Sequence, residues 1–418
     1  MLGPSKENQM GSRMVLLVVT VLVLASCRVT APPLWGPIPE YTRGTEPPGW
    51  SMSLISFNVW GVKLVAKDRD ERMPHIGEAV LRRDVDVAVL QEAWLKKNRE
   101  QIASVVSKPY QHNFEVPRTV GSGLFMLSDH PMTAPAFNEF LLNGRLTRIW
   151  EGEALAGKGV GSAQLDIRGL PVTLFNTHLI ARHGDKYGPQ DKWWVERQLQ
   201  IFEVFKHIIE QTQSDAFIVA GDFNVNPFQR EYSYFRRLTS LDGTRFQEED
   251  PQFCTNCPDN VYTPNAKLGQ IDYIFLSPRL GFKKVKRDFE EKVALSRSKV
   301  VNLSDHYGWK AEVEVTPDRP HPPPEQVRAS TTTAVRELHI LLRQYKKEHS
   351  SLYKEQEELE AKEDPNRGIE DRLCISCRIN DGIRLTQEYL DALEGTSSDP
   401  RVQNLRVRLE SYFQLFRR

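Results

Sequence analysis

Short apolar segments that end in a polar residue are the feature that most constrains the fold of this chain. Between residues 52 and 315, eight such segments alternate with stretches of helical periodicity. A brief apolar run bounded by polar residues is typical of a buried strand, and alternation with helices favours helices layered on sheets. We therefore predict an α/β domain over residues 52–316. Its strands are expected at residues 54–59, 85–91, 123–127, 161–167, 172–177, 217–222, 271–276 and 309–315.

The polar residues at these strand ends carry carboxylate, amide or imidazole groups. Taken singly, each has an ordinary structural explanation, such as capping a turn, lying at a helix N-terminus or forming a hydrogen bond in the core. Their joint occurrence is hard to obtain from folding requirements alone, and it indicates a catalytic site in the loops at one sheet edge. The residues are Asn58, Glu92, His178, Asp222, Asn224, Asp272, Asp305 and His306.

The charge composition argues against a polyanionic substrate. Lysine plus arginine total 55, aspartate plus glutamate also total 55, and the formal net charge is zero. A protein without an overall basic field does not attract nucleic acid at long range. We therefore expect no nucleic-acid partner, and the sequence does not determine the oligomeric state.

The N-terminal region has the features of an export signal. Residues 14–26 form an apolar run that follows Arg13 and precedes Cys27. This run is too short for a bilayer span, which takes roughly 20 residues, so a signal peptide over residues 1–27 fits better. Leu24-Ala25-Ser26-Cys27 also resembles the lipobox of bacterial lipoproteins. We expect an exported protein, either secreted or anchored through Cys27, with a Pro-rich tether over residues 28–51.

The other four cysteines form two close pairs. Cys254 and Cys257 make the first pair, and Cys374 and Cys377 the second. An even number suits an exported protein. We favour local disulfides or free thiols over a zinc site shared by all four, because the pairs lie farther apart in sequence than those of a zinc ribbon.

A second boundary follows the α/β domain. Pro317, Pro320 and Pro322 to Pro324 oppose continuous helix, so we predict a linker over residues 317–330 and a helical region over residues 331–418. A helical hairpin or bundle packed on the α/β domain is favoured, with self-association and membrane contact as alternatives. Further helices are expected near residues 369–393 and 401–416. Heptad positions are taken by Val335, Leu338, Leu342, Tyr345, Leu352 and Leu359.

The order of the polar residues resembles that of the endonuclease/exonuclease/phosphatase, or deoxyribonuclease I-like, superfamily. Gly221-Asp222-Phe223-Asn224 and Ser304-Asp305-His306 are the hallmark elements. The resemblance implies a four-layer α/β/β/α sandwich. The C-terminal helical extension is not covered by the resemblance. Within the superfamily the chain looks like neutral sphingomyelinases. Supporting motifs are Asn58-Val59-Trp60-Gly61, Asp70-Glu71-Arg72-Met73, Leu90-Gln91-Glu92-Ala93-Trp94, Gly121-Ser122-Gly123-Leu124, Asp129-His130-Pro131 and Gly157-Lys158-Gly159-Val160-Gly161.

That resemblance implies a metal-dependent phosphodiesterase that hydrolyses sphingomyelin to ceramide and phosphocholine at a membrane surface. A phosphodiester repels nucleophiles, so its hydrolysis needs a cation, an activated water and hydrogen-bond donors. Glu92, Asn58 and Asp305 would hold Mg²⁺, with Mn²⁺ as the alternative ion. His306 would be the general base, and Asp272 would orient its imidazole.

The remaining candidates would act on the water and the phosphate. Asp222 would position the water, while Asn224 and His178 would donate hydrogen bonds to the non-bridging oxygens. Lys158 is a candidate substrate-binding residue, and the alternative is that its glycine-rich segment is only a turn at a strand start. That segment lacks the full pattern of a nucleotide-binding loop.

Other functions share this pattern. A nuclease, or a phosphatase for another phosphoester, is the alternative inside the same fold. A non-catalytic binding module is disfavoured, because every expected catalytic residue is present. Trp193 and Trp194 are interpreted as one core and one partly exposed residue at a helix start, with membrane contact as the alternative. A glycan on the sequon Asn302-Leu303-Ser304 would crowd Asp305, which favours a bacterial envelope over a eukaryotic secretory route.

Overall fold

The computed structural model describes residues 47–417, apart from gaps at 63–64, 117–120, 144–155, 183–185, 245–252, 317–319 and 364–374. The predicted signal peptide, Cys27 and most of the predicted tether lie outside the described residues. Within the described part of the chain, no helix is both long and apolar enough to cross a membrane.

The first sheet has six strands and brings three strand ends to one edge. Its parallel pair, β1 (Ser51–Asn58) and β2 (Val87–Gln91), is flanked by β14 (Gly308–Val315), which runs antiparallel to β1. The carboxyl ends of β1 and β2 therefore meet the amino end of β14. In spatial order the strands are β11 (Leu280–Asp288), β14 (Gly308–Val315), β1 (Ser51–Asn58), β2 (Val87–Gln91), β4 (Phe125–Ser128) and β3 (Tyr110–Asn113).

The second sheet repeats this arrangement. Its parallel pair, β7 (Leu170–His178) and β8 (Phe217–Asp222), is followed by β10 (Asp272–Leu276), which runs antiparallel to β8. In spatial order the strands are β5 (Met132–Glu139), β6 (Gly159–Ile167), β7 (Leu170–His178), β8 (Phe217–Asp222), β10 (Asp272–Leu276) and β9 (Asp242–Gly243). A separate two-stranded sheet joins β12 (Lys292–Ala294) and β13 (Val300–Asn302).

Helices cover the outer faces of the two large sheets. Helices α1 (Arg69–Arg83) and α2 (Lys96–Val106) share an apolar cluster with the first sheet, while α3 (Trp194–Gln211) and α4 (Arg230–Thr239) share one with the second. The C-terminal helices are α5 (Pro324–Glu363), α6 (Ile375–Glu394) and α7 (Pro400–Gln414). Short 3₁₀ helices occur at Gly188–Gln190 and Ser296–Ser298.

A third apolar cluster fills the space between the sheets. Alternate residues of β1, β2, β7 and β8 point into it, as the two-residue period of a strand requires. Leu54 and Trp309 enter from the first sheet, and Leu174 and Ile218 from the second. The layers are thus helix, sheet, sheet and helix, which confirms the predicted α/β/β/α sandwich. All eight predicted strands are present, with their ends displaced by three residues or fewer.

The structure corrects two boundaries. Trp50 is not part of a tether, because its side chain is buried and its indole N–H donates to the carbonyl of Ile167 at 2.6 Å. The predicted linker over residues 317–330 is wrong from Pro324 onward, where α5 begins. Proline is tolerated in the first turn of a helix because its missing N–H needs no partner there. Val327, within the predicted linker, is fully buried.

The C-terminal helices complete the core around α3. The predicted heptad residues Val335, Leu338, Leu342 and Tyr345 are buried in the same cluster as Phe202 of α3. The aromatic ring of Tyr389 on α6 lies 5.0 Å from that of Phe202. The side chains of the two remaining heptad positions lie outside the described residues. This region therefore shares a core with the α/β domain.

Three further predictions are resolved by burial or bonding. Cys254 and Cys257 form a disulfide, which contradicts a shared zinc site because a disulfide sulfur is not a thiolate ligand. Cys377 is disulfide-bonded as well, and Cys374 lies outside the described residues. Trp193 is a buried core residue and not a membrane contact. Asn302 is fully buried, so the folded protein does not present this sequon to a glycan.

Candidate active site

The structure brings the predicted site residues together where the two sheets meet. Asn58 ends β1, and Glu92 directly follows β2. His178 and Asp222 end β7 and β8 as register partners, and Asp272, the first residue of β10, is the register partner of Asp222 on the other side. Ser304-Asp305-His306 lies one residue before β14 of the first sheet.

A histidine–aspartate pair lies at the centre of this edge. His306 Nδ1 is 2.9 Å from Asp272 Oδ2, and both side chains are buried. His306 Nε2 lies 3.9 Å from Asp222 Oδ2 and 4.0 Å from Asp305 Oδ1. Burial opposes a charged imidazole, but the carboxylates of these three aspartates outweigh it and raise the pKa of His306 well above its usual value. These carboxylates therefore favour the protonated ring, and the neutral form that acts as a base predominates only when their negative charge is compensated.

Asn58 links the carboxylates of the two sheets. Its Nδ2 donates to Glu92 Oε1 at 3.1 Å and to Asp222 Oδ2 at 3.0 Å. Its Oδ1 accepts the backbone N–H of Trp60 at 2.9 Å. In this arrangement Asn58 acts as a hydrogen-bond donor to the carboxylates, and its role as a metal ligand stays a prediction.

Glu92 is a buried carboxyl group whose surroundings disfavour a negative charge. Burial, together with the nearby carboxylate of Asp305, raises the pKa of Glu92 to about 7. Its Oε2 is buried and has no hydrogen-bond partner among the described residues. The backbone is also left-handed there, with φ of 60°, which is unusual for glutamate. Gly61 allows this close loop approach, because a Cβ on it would lie 2.1 Å from the carbonyl oxygen of Glu92.

Two groups of residues fit a divalent cation. Glu92 and Asp305 form the first group and offer hard carboxylate oxygens. Burial raises the pKa of both side chains, because it disfavours their charged forms. Asp222, Asp272 and His306 can each place a ligand atom within 4.8 Å of the others. The hydrogen bond between Asp272 and His306 occupies one ligand atom of each in the second group. The first group is the better fit, because the orphaned Glu92 oxygen belongs to it.

Lys158 enters the site beside His178. Its Nζ lies 3.2 Å from His178 Nε2 and donates to the carbonyl of Leu179 at 3.1 Å. Burial, with the positive charge of Lys158 and then of His306, lowers the pKa of His178 well below its usual value. His178 is therefore a neutral imidazole, and it lies 3.6 Å from Asp222 Oδ2. Lys158 brings a buried positive charge to the centre of the site.

The loop after β8 presents Asn224. Its backbone N–H donates to Asp222 Oδ1 at 2.8 Å, and its Nδ2 donates to the carbonyl of Leu179 at 3.0 Å. Asn224 has φ of 53°, a left-handed conformation that asparagine adopts more readily than most residues. At Gly221 a Cβ would lie 2.0 Å from the carbonyl oxygen of Thr177, so only glycine fits between these strands.

Sequence reasoning assigned no role to two residues that hold the site together. The fully buried Arg72 donates to the carbonyls of Val59 at 3.0 Å and Leu303 at 2.6 Å, and so ties the loop after β1 to the loop before β14. Ser304 Oγ donates to the carbonyl of Asn58 at 2.7 Å. In the sequence, Arg72 belongs to the motif Asp70-Glu71-Arg72-Met73 and Ser304 to the hallmark Ser304-Asp305-His306. Neither motif reveals a hydrogen-bond partner that is distant along the chain.

Comparison with known proteins agrees with this geometry. The chain is 34% identical to "Inositol phosphosphingolipids phospholipase C" of Schizosaccharomyces pombe over 184 residues, which are 42% of each chain. It is 27% identical to human "Sphingomyelin phosphodiesterase 2" over 299 residues, 68% of this chain and 69% of that protein. The match thus spans less than half of the yeast relative and about two thirds of the human one.

The fold is shared with a solved structure of beta toxin from Staphylococcus aureus, with a TM-score of 0.51 at 19% identity over 62% of this chain and 99% of that chain. Residues 55–306, which are more than half of the chain and include every predicted site residue, match the Endonuclease/Exonuclease/phosphatase family. Together with the two-sheet site at one edge of the sandwich, this match places the chain in the Endonuclease/Exonuclease/phosphatase family.

Proposed function

We propose that this protein is a metal-dependent phosphodiesterase that hydrolyses sphingomyelin to ceramide and phosphocholine. The observation that carries the proposal is the buried His306–Asp272 pair, which lies beside the carboxylates of Asp222 and Asp305 at one sheet edge. The names of the two curated relatives support a phosphosphingolipid substrate. Zero net charge also favours a lipid over nucleic acid.

His306 is the general base of the proposed reaction. Its Nε2 takes a proton from the attacking water, and Asp272 fixes the ring through Nδ1 and stabilises the resulting imidazolium. Burial, followed by the negative charge of Asp272, raises the pKa of Asp222 to about 7. Asp222 accepts a hydrogen bond from the same water and thereby orients it.

Donors on the other side of the site bind the phosphoryl oxygens. Lys158 supplies a positive charge, Asn224 supplies a neutral donor, and His178 is a donor in the tautomer that carries its proton on Nε2. These groups are held in place before substrate arrives, because Lys158 and Asn224 share the carbonyl of Leu179 as an acceptor. Donors fixed in advance stabilise developing charge without a cost for reorganisation.

Glu92 and Asp305, with Asn58 adjacent, would hold the divalent cation. When bound, the cation supplies charge neutralisation at the leaving oxygen and compensates the buried carboxylates. Mg²⁺ is the proposed ion, because carboxylate and water oxygens are its preferred ligands, and Mn²⁺ is the alternative.

The proposed substrate also requires a membrane-facing surface. Phe228 is 65% exposed on the loop after β8, and its ring lies 5.7 Å from that of Tyr187 on the loop after β7. The guanidinium of Arg182 lies 3.9 Å over the Tyr187 ring. Aromatic rings beside a cation suit the headgroup region of a bilayer. The apolar run at residues 14–26 supports export of the enzyme, either secreted or anchored at Cys27.

The direct test is phosphocholine release from sphingomyelin vesicles by the full chain, with Mg²⁺ and with a chelator. Phosphatidylcholine vesicles and plasmid DNA are assayed in parallel. Metal-dependent release from sphingomyelin alone is expected. Cleavage of DNA would replace the proposed function with that of a nuclease, and release from phosphatidylcholine at the same rate would contradict the choice of sphingomyelin.

A further inference from the structure

The loop closed by the Cys254–Cys257 disulfide lies directly behind the catalytic pair. Thr255, between the two cysteines, is fully buried. Its Oγ1 accepts the backbone N–H of Ile271 at 3.1 Å and that of Asp272 at 3.2 Å. The threonine side chain therefore fixes the backbone at the start of β10, from which the Asp272 carboxylate projects.

The backbone of the same residue holds the other half of the pair. The carbonyl of Thr255 accepts the N–H of Tyr307 at 2.8 Å, and Tyr307 is the residue after His306. The N–H of Thr255 donates to the carbonyl of Gly269 at 2.9 Å, close to β10. Thr255 thus contacts one chain segment from each large sheet, and these two segments carry Asp272 and His306.

The disulfide and an arginine keep this loop in place. Cys254 and Cys257 are buried in a small apolar cluster with Tyr307. Arg287 of β11 donates from Nη1 to the carbonyl of Cys254 at 3.0 Å, and the same nitrogen lies 3.5 Å from Cys257 Sγ. Glu290 holds the guanidinium with two contacts of 2.9 Å. The disulfide limits the conformations of Thr255, and Arg287 joins the loop to the first sheet.

We propose that Thr255, constrained by the Cys254–Cys257 disulfide, is a positioning residue that sets the hydrogen bond between Asp272 and His306, so that catalysis depends on this disulfide. The proposal rests on the assignment of His306 as general base. The hydrogen bond between Asp272 and His306 orients the imidazole only while the two side chains keep their relative position. A catalytic group displaced by about 1 Å loses roughly 10²-fold in rate. Reduction of the disulfide should therefore act on the rate of the chemical step.

The reduction is a two-electron exchange with a dithiol such as dithiothreitol. One thiolate of the dithiol attacks a sulfur of the pair to form a mixed disulfide and releases the other cysteine as a thiol. The second thiol of the reagent then closes its own disulfide and releases the remaining cysteine. The protein gains two electrons and two protons, and the reagent loses the same number.

The test compares Thr255→Val, Thr255→Ser and the double variant C254S/C257S. Thr331→Val is the matched buried-threonine control, because Thr331 is fully buried in α5 and its Oγ1 donates to the carbonyls of Leu238 and Val327. C374S/C377S controls for loss of the other cysteine pair. We expect T255V and C254S/C257S to lose at least about tenfold in kcat with little change in KM, and T255S to retain most activity. T331V and C374S/C377S should keep the wild-type kcat when they are assayed at a temperature well below their Tm.

Dithiothreitol should lower kcat of the wild type and of C374S/C377S alike, and this measurement needs no variant that folds poorly. A wild-type kcat in T255V, or an unchanged kcat after reduction of Cys254–Cys257 verified by mass spectrometry, overturns the proposal.

An activity-independent readout separates this proposal from the proposed function. In protein labelled with ¹⁵N-histidine, the proton on His306 Nδ1 gives a resonance assigned by its absence in His306→Ala. We expect that resonance to shift or broaden in T255V and to be preserved in T331V and T255S. If sphingomyelin is not cleaved and the resonance still responds to T255V, the substrate is wrong and the positioning role stands. An unchanged resonance in T255V removes the positioning role.

Discussion

His306 and Asp272 form a buried hydrogen bond of 2.9 Å although they belong to chain segments of different sheets. Asp272 begins a strand of the second sheet, and His306 precedes a strand of the first. The pair therefore exists only where the two sheets pack together. Each partner is also surrounded by buried groups, so its geometry is restricted before substrate binds.

Replacing His306 by alanine should lower kcat by about 10²–10⁴-fold, because the general base is lost. Asp272→Asn should also reduce kcat strongly, since the amide does not stabilise an imidazolium. The measurement is steady-state phosphocholine release, with circular dichroism as the check on folding. His130→Ala is the matched control, because His130 pairs with Asp86 at 3.2 Å before the start of β2, at the opposite edge of the sheet. Full activity in His306→Ala would remove the assigned role.

Glu92→Gln should abolish the stabilisation that Mg²⁺ gives to the folded protein. A ligand at 100 times its Kd stabilises the native state by about 2.7 kcal/mol, which appears as an increase in Tm. We expect this increase in the wild type and in Glu100→Gln, an exposed glutamate of α2. Thermal unfolding with and without Mg²⁺ measures it, and an equal increase in Glu92→Gln would show that the cation binds elsewhere.

Glu203 of α3 should make stability depend on pH. Both of its carboxylate oxygens accept the N–H of Leu141, at 3.0 and 3.2 Å, and burial raises the pKa of Glu203 from 4.5 to about 8. The pKa of Glu203 is higher in the folded state than in the unfolded state. The contribution of Glu203 to the free energy of unfolding is therefore fully present below pH 4.5 and is lost as the pH rises towards 8. The loss should be on the order of 3–5 kcal/mol.

Glu203→Gln removes this ionisation, so its free energy of unfolding should stay level over the range in which that of the wild type falls. Urea unfolding at several pH values between 4.5 and 8 measures the difference. Glu78→Gln, at an exposed glutamate of α1, should follow the wild type. A constant difference between wild type and Glu203→Gln across this range would contradict the expectation.

Leu338→Ala in α5 should destabilise the protein by about 2–5 kcal/mol, because Leu338 is fully buried in the cluster around α3. Ile340→Ala is the neighbouring control; Ile340 is 58% exposed and should change stability by less than about 0.5 kcal/mol. Deleting residues 324–418 should yield unfolded or insoluble protein. A soluble and active truncated enzyme would show that the C-terminal helices are accessory.

Phe228→Ala should weaken binding to sphingomyelin vesicles while activity on a soluble phosphodiester is kept. Burial of a phenylalanine side chain contributes about 1.5–3 kcal/mol, so binding should weaken by roughly 10- to 100-fold. Vesicle sedimentation measures the binding. Val407→Ala, at an exposed valine of α7, should leave it unchanged. If Phe228→Ala binds vesicles as tightly as the wild type, the membrane contacts another surface.

The strands and the site could be predicted because their signals are local in sequence. An apolar run followed by Asp222 or His178 predicts both a buried strand and a polar side chain at the end of that strand. In the structure these strand ends lie side by side. Strands without such runs were missed, including β3 and β5, whose residues are largely exposed or half-buried. Strand ends moved by a few residues because hydrogen bonds to neighbouring strands decide them.

Other features were not predictable because they depend on contacts between distant residues. The carbonyl of Leu303 that Arg72 binds is 231 positions away in sequence. The proline cluster led to a predicted linker that extends to residue 330. The helix begins earlier, because the first turn of α5 accommodates Pro324.

Asn58 donates one hydrogen bond within its own sheet, to Glu92, and one across to Asp222 on the other. A chain in which only one sheet has formed holds neither this bridge nor the histidine–aspartate pair. Newly made or partly unfolded protein would consequently lack an assembled site. Under the proposed function, the folding reaction itself would keep the protein inactive until both sheets are in place, without a separate inhibitor.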